Sequence, residues 1–152
     1  MKKYKREILW SAFALYCVFL LWILFFSREA ERIPLKDYLS EYTSLFPFRT
    51  TAKYIRYVWL RRDLQSLALA LLNIGGNLIL FFPMGFFLPM LFPRMKRPAH
   101  LFCHITAAIV SAELAQALLR LGVFDIDDIL YNFIGAYWGY IASRHLYRFF
   151  VA

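Results

Sequence analysis

Cysteine is almost missing from this chain: there are two among 152 residues, Cys17 and Cys103, each inside an apolar block. That speaks against a disulfide scaffold and a cysteine-rich metal site, and it marks both thiols as buried space fillers. Acidic residues are scarce too, ten against eighteen Lys and Arg, for a formal charge of +8. No nucleophile elbow, P-loop, HExxH or glycine-rich dinucleotide turn occurs, so the enzyme classes those motifs announce are not indicated. Internal repeats and low-complexity segments are lacking as well.

Apolar residues are what the chain has in excess. They make up 61% of it, with aromatics at 20% and a mean hydropathy of +0.51, against about 45–50% apolar in a soluble domain. The surplus is gathered into long blocks, the pattern of an integral membrane protein. Most basic residues flank those blocks, as headgroup anchors do, which speaks for lipid and against nucleic acid as the partner.

Residues 8–26 form an almost unbroken apolar run of 19, enough to cross a hydrocarbon core of about 30 Å. Lys2, Lys3, Lys5 and Arg6 precede it, which places the N-terminus in the cytoplasm. The run exceeds a usual signal-peptide core and no small-x-small cleavage site follows, so a permanent anchor is expected. Residues 27–66 are too polar to cross. Within them, 50–62 spaces Ile55, Val58 and Trp59 as a helix lying on the membrane surface would. The second block, 67–92, would measure roughly 39 Å as one straight helix, so it must tilt, begin in the interface or bend, and a bend at Pro83 is the favoured expectation. After a short basic turn come a third block, 99–119, and a fourth, 126–143, which Arg144, His145 and Arg148 follow.

The expectation is one all-α transmembrane domain over 1–152, with four spanning helices and both termini cytoplasmic. The first extracytoplasmic loop goes against the positive-inside rule with eight Lys/Arg, but five acidic residues accompany them.

Counted from the extracytoplasmic ends of the spans, the polar residues fall in one leaflet. Asn132 lies about 5 Å in, Asn73 and Gln116 about 8–9 Å, Glu113 about 12 Å and Asn77 about 15 Å. Asn73 and Asn77 share a helix face, as do Glu113 and Gln116. Asn132, Ala136 and Gly139 share another, and Gly135 and Gly139 form a GxxxG packing motif. Gly75 and Gly76, and the small residues Ala107, Ser111 and Ala115, are expected to let helices approach closely. The amides are either interhelical hydrogen bonds or part of a shared polar cavity. Glu113 is the candidate general acid or base, because a carboxyl inside a membrane is costly and is by default a functional candidate. In Asp125, Asp127 and Asp128, one carboxylate (Asp127) is explained by capping a helix N-terminus. The three together allow oxygen ligation of a divalent cation or pairing with arginines of the long loop. His100, Cys103 and His104 share a face at the cytoplasmic end and read as ordinary interfacial residues rather than metal ligands.

Three collinear stretches carry a resemblance. "LFPFRTTAKYI" (45–55), "NIGGNLILFFPMGFF" (73–87) and "ELAQ" (113–116) followed by "FDIDDILYNFIGAYWGY" (124–140) are together similar to the VanZ-like family. The resemblance implies a bacterial multi-pass membrane protein linked to resistance to teicoplanin and related glycopeptides; no cofactor is expected beyond the divalent cation that Asp125, Asp127 and Asp128 allow. One departure stands out: the family usually carries an arginine shortly before the F-D-I-D-D run, where this chain has Gly122, with Arg120 nearby but out of register. Two functions are then expected to compete. In one, a polar cavity open to the outer leaflet binds a lipid headgroup or a lipid-linked envelope precursor through Arg49, Asn73, Asn77, Glu113, Gln116, Asp125, Asp127, Asp128 and Asn132. In the other, a membrane enzyme uses Glu113 to modify a lipid or envelope glycan.

Overall fold

A computed structural model describes residues 3–151; Lys2 of the basic N-terminal cluster lies outside the described residues, as do the side chains of Lys3 and Arg148. Helix α1 (Lys3–Leu21) continues through a π-helical turn, Trp22–Phe26. Two elements of the following polar segment had no clear signature, the short helix α2 (Leu35–Glu41) and the two-residue strand β1 (Thr43–Ser44). Helix α3 (Arg49–Arg61) falls where a helix was expected over 50–62, with Ile55 and Trp59 exposed and Tyr54 and Val58 partly covered. It starts and stops abruptly, because the residues flanking it, Phe48 (φ 63°) and Arg62 (φ 51°), are left-handed.

The second apolar block is two helices, α4 (Leu64–Leu80) and α5 (Phe82–Leu91). The interruption falls at Phe81, two residues before Pro83. Proline lacks an N–H and its ring crowds the carbonyl four residues back, so the helix stops upstream of the proline and restarts with Pro83 in its first turn. Asp63 caps α4, accepting the Ser66 N–H at 2.6 Å, and that bond holds its carboxyl below the usual range. A 3-10 turn, Pro93–Lys96, leads to α6 (Pro98–Leu118); strand β2 (Phe124–Asp125) and α7 (Ile126–Val151) complete the chain. Three helical stretches, Tyr4–Phe26, Leu64–Leu91 and Pro98–Leu118, are long and apolar enough to cross a membrane. Helix α7 is not among them. At about 1.5 Å per residue it is long enough, but its first turn carries Asp127 and Asp128.

Helix α7 packs along α5 and α4, and glycines set how closely. A Cβ at Gly135 would collide with the Leu78 carbonyl, one at Gly139 with the Phe82 carbonyl, and one at Gly85 with the Ala136 carbonyl. Lipid offers no hydrophobic drive between helices, so such backbone contact and dispersion hold the bundle. The GxxxG motif therefore acts within one chain. Gly75, Gly76, Ala107 and Ser111 do not serve the close approach expected of them. Nothing comes within 4 Å of a Cβ built at Gly75 or Gly76. Ala107 and Ser111 are exposed, because α6 turns the larger Leu101, Ile105 and Ile109 inward, where they meet Phe81, Ala136 and Tyr140. The thiols are free, and Cys103 is exposed rather than buried as core filler.

The polar segment is sewn to the α6–α7 turn. Strands β1 and β2 pair in parallel, Thr43 with Phe124 and Ser44 with Asp125. The Tyr38 hydroxyl donates to the Gly122 carbonyl at 3.0 Å, and Arg120 donates from Nη1 to the Ile33 carbonyl at 2.9 Å.

Candidate functional site

The acidic run that opens α7 divides its labour. Asp125 Oδ1 accepts the Asp127 N–H at 2.9 Å, so Asp125 caps α7. Asp127, the expected cap of its own helix, instead caps α3. Its carboxylate accepts the Phe48 N–H at 2.5 Å, the Thr51 N–H at 2.9 Å and the Thr51 hydroxyl at 2.8 Å. The physical reason is that α3 begins after Phe48, which has no side-chain acceptor for the free N–H groups of the first turn. A carboxylate from another helix supplies the acceptor and favours the positive end of the α3 dipole. Asp128 takes a third direction and accepts the Asn77 amide at 2.6 Å. The three aspartates thus diverge, and no group of three or more His, Cys, Asp or Glu among the described residues is placed to hold a metal ion. The cation-ligating arrangement allowed by the sequence is corrected accordingly.

Docked by Asp127, α3 lies beside α4 and encloses a cavity of about 1060 Å³. The polar segment contributes Arg28 and Ser40 through Ser44, and α3 adds Arg49, Lys53 and Tyr54. From α4 come Asn73 and Asn77, and from the start of α7 come Asp125 and Asp128. Leu69 and Leu72, exposed on the outside of α4, belong to the same wall. Segment 27–66 is therefore part of the cavity itself, and Gly76 lines it instead of a helix contact.

Five of the nine expected site residues meet there: Arg49, Asn73, Asn77, Asp125 and Asp128. Asp127 holds the wall in place. Gln116 lies elsewhere, donating from Nε2 to the Leu24 carbonyl at 2.9 Å; the π-helical turn ends α1 there, and the amide meets one of the carbonyls that a helix end leaves open. Asn132 is 2% exposed and its Oδ1 has no partner among the described residues. Glu113 is 5% exposed and does not wall the cavity, but it interacts electrostatically with Asp128, Arg28 and Asp125.

Arg28 was not among the expected site residues. Its guanidinium lies over Gly122, where an added Cβ would come within 2.7 Å of Nη1. It is the cation that acts on both Glu113 and Asp128. The position where the resemblance implies an arginine is a glycine here, and that glycine leaves room for an arginine from the end of α1. Lys53 was also missed; its signal in the sequence was its place one helical turn from Arg49. A second cavity, of about 910 Å³, lies at the far end of the bundle, with Arg94, Arg97, His100 and His104 in its wall.

Apolar helices of spanning length around a polar, charged cavity at one end define a helical membrane protein. The chain matches the VanZ/LLP1 family over residues 13–149 and belongs to that family. It is 23% identical over 137 residues to Protein VanZ of Enterococcus faecium, covering 88% of this chain and 74% of that protein. No solved structure matches it.

Proposed function

We propose that the chain crosses the cell membrane four times, with α7 as the fourth span and both termini cytoplasmic, and that its cavity faces the outer leaflet. There it receives the phosphate-bearing headgroup of a lipid or lipid-linked envelope precursor, and through that binding it influences susceptibility to teicoplanin. One observation carries this reading. Arg28, Arg49 and Lys53 converge on a cavity whose wall also includes the lipid-facing Leu69 and Leu72. Among the described residues none of the three cations is taken up by an ion pair or a side-chain hydrogen bond. A phosphate pairs with guanidinium and ammonium groups, and acyl chains fit a leucine edge.

The general acid–base role considered for Glu113 is not favoured, because Glu113 does not wall the cavity. The test is lipid mass spectrometry on protein extracted in a mild detergent. A phosphate-bearing lipid should co-purify, and the double variant Arg49→Gln/Lys53→Gln should retain markedly less of it. Cells expressing that variant should also lose any shift in teicoplanin susceptibility that the unmodified chain confers. Folded protein that retains no lipid above detergent background would overturn the proposal.

A further inference from the structure

Apart from Arg28 and Glu41 of the polar segment, the cavity's charges are sorted by element. Arg49 and Lys53 stand one turn apart on α3, so both cations lie on the same face of that helix. The α4–α7 wall carries amides and carboxylates instead: Asn77, Asp125 and Asp128. A ligand that was only an anion would be attracted by the first wall and repelled by the second.

The acidic wall is also rich in unused acceptors. Asn77 occupies Oδ1 of Asp128, and the other carboxylate oxygen has no hydrogen-bond donor among the described residues. One turn further along α7, behind this wall rather than in it, Asn132 Oδ1 is buried and without a partner among the described residues. A buried acceptor without a donor is uncommon and calls for a cause. Carboxyl groups are crowded on this side, since Asp125 and Glu113 lie within electrostatic reach of Asp128, with Arg28 as the cation shared by Glu113 and Asp128. What this wall lacks is a group with several donors and a positive charge. A primary ammonium offers three donors and no acceptor.

We infer that the cavity recognises a zwitterionic headgroup, with its phosphate on Arg49 and Lys53 and a primary ammonium, a few atoms away, on Asp128. The inference rests on the headgroup reading above and narrows it to amine-bearing phosphates. Arg28, which acts on Glu113 and Asp128, balances the carboxylates.

The test uses the full chain in a neutral detergent, titrated calorimetrically with dihexanoyl phosphatidylethanolamine, phosphatidylglycerol and phosphatidylcholine, and separately with soluble phosphoethanolamine. The ethanolamine lipid should bind about tenfold tighter than the glycerol lipid, the difference expected of one charge-assisted hydrogen-bonded contact. The choline lipid, whose quaternary nitrogen has no N–H, should also bind more weakly than the ethanolamine lipid. Asp128→Asn should reduce the preference to within about twofold, while Arg49→Gln should weaken the ethanolamine and glycerol lipids by similar factors. Glycerol lipid binding as tightly as ethanolamine lipid overturns the ammonium assignment and leaves the phosphate-headgroup reading standing. Binding of neither lipid overturns both. A preference that survives in folded Asp128→Asn overturns Asp128 as the amine's partner. Phosphoethanolamine binding as tightly as its lipid supports the zwitterionic site and overturns a lipid as its occupant. The comparison on the unmodified chain decides the matter even where Asp128→Asn fails to fold.

Discussion

Asp127→Asn should loosen α3 while leaving the rest of the bundle packed. Three donors, the N–H groups of Phe48 and Thr51 and the Thr51 hydroxyl, converge on the two oxygens of this carboxylate. Asparagine keeps one acceptor oxygen and turns an NH₂ toward a backbone N–H, so one bond is lost and a donor faces a donor. Hydrogen bonds to charged groups contribute about 1.5–3 kcal/mol each, and the lost dipole interaction adds a few tenths. A cost of about 2–3 kcal/mol on α3 docking follows, which raises the open population roughly 30- to 140-fold. Hydrogen–deuterium exchange in detergent micelles reads this directly. Peptides covering 46–61 should exchange faster by that factor, while those from α5 and α6 stay within about twofold of the unmodified chain. Unchanged exchange over 46–61 would refute the capping role of Asp127. A uniform acceleration over the whole chain would refute the claim that the capping is local to α3.

Gly135→Ala places a methyl group against the Leu78 carbonyl, so α4 and α7 must move apart, at a cost of about 1–3 kcal/mol visible as a lower melting temperature in detergent. Gly75→Ala meets open space and should be neutral or slightly stabilising in the same assay, by up to about 1 kcal/mol. Arg62 adopts a left-handed conformation at the end of α3, so Arg62→Gly should stabilise the protein by about 0.5–1 kcal/mol; destabilisation would mean that the arginine side chain contributes more than the backbone costs. Gln116→Leu removes the donor to the Leu24 carbonyl and should cost about 0.6–1.7 kcal/mol, the range for interhelical hydrogen bonds in membranes, measured by reversible unfolding in mixed micelles.

The apolar spans were legible because each is a long uniform block whose length alone decides its class. The surface helix was legible because its period is helical and its composition too polar to cross. The break in the second block was placed at Pro83 and falls at Phe81, since the proline disrupts the turn before it rather than its own position. What could not be read were features that depend on a second, distant segment. Helix α2 and the pairing of Thr43 with Phe124 follow no local period and exist because the polar segment meets the α6–α7 turn.

The acidic run makes the same point at the site. As a string, Asp125, Asp127 and Asp128 allow a cap at Asp127, and for the three together either a shared cation or pairing with arginines of the long loop. In the fold each meets a different donor: the backbone of its own helix, the exposed N-terminus of α3, and the amide of Asn77. Alternate spacing along a helix start sends neighbouring side chains in different directions, so a dense acidic run tends to serve several partners unless a loop gathers it. Asp125 and Asp128, left in the cavity wall, share it with Glu41 and with cations from the α1 end and α3, a juxtaposition that was invisible until α3 had been docked. Position 122 follows the same logic. A glycine stands where the resemblance implies an arginine, and the space it leaves holds Arg28. A guanidinium in this place is thus supplied from almost a hundred residues away, and Gly122→Ala, which presses on the flexible end of that side chain, should disturb ligand affinity more than stability.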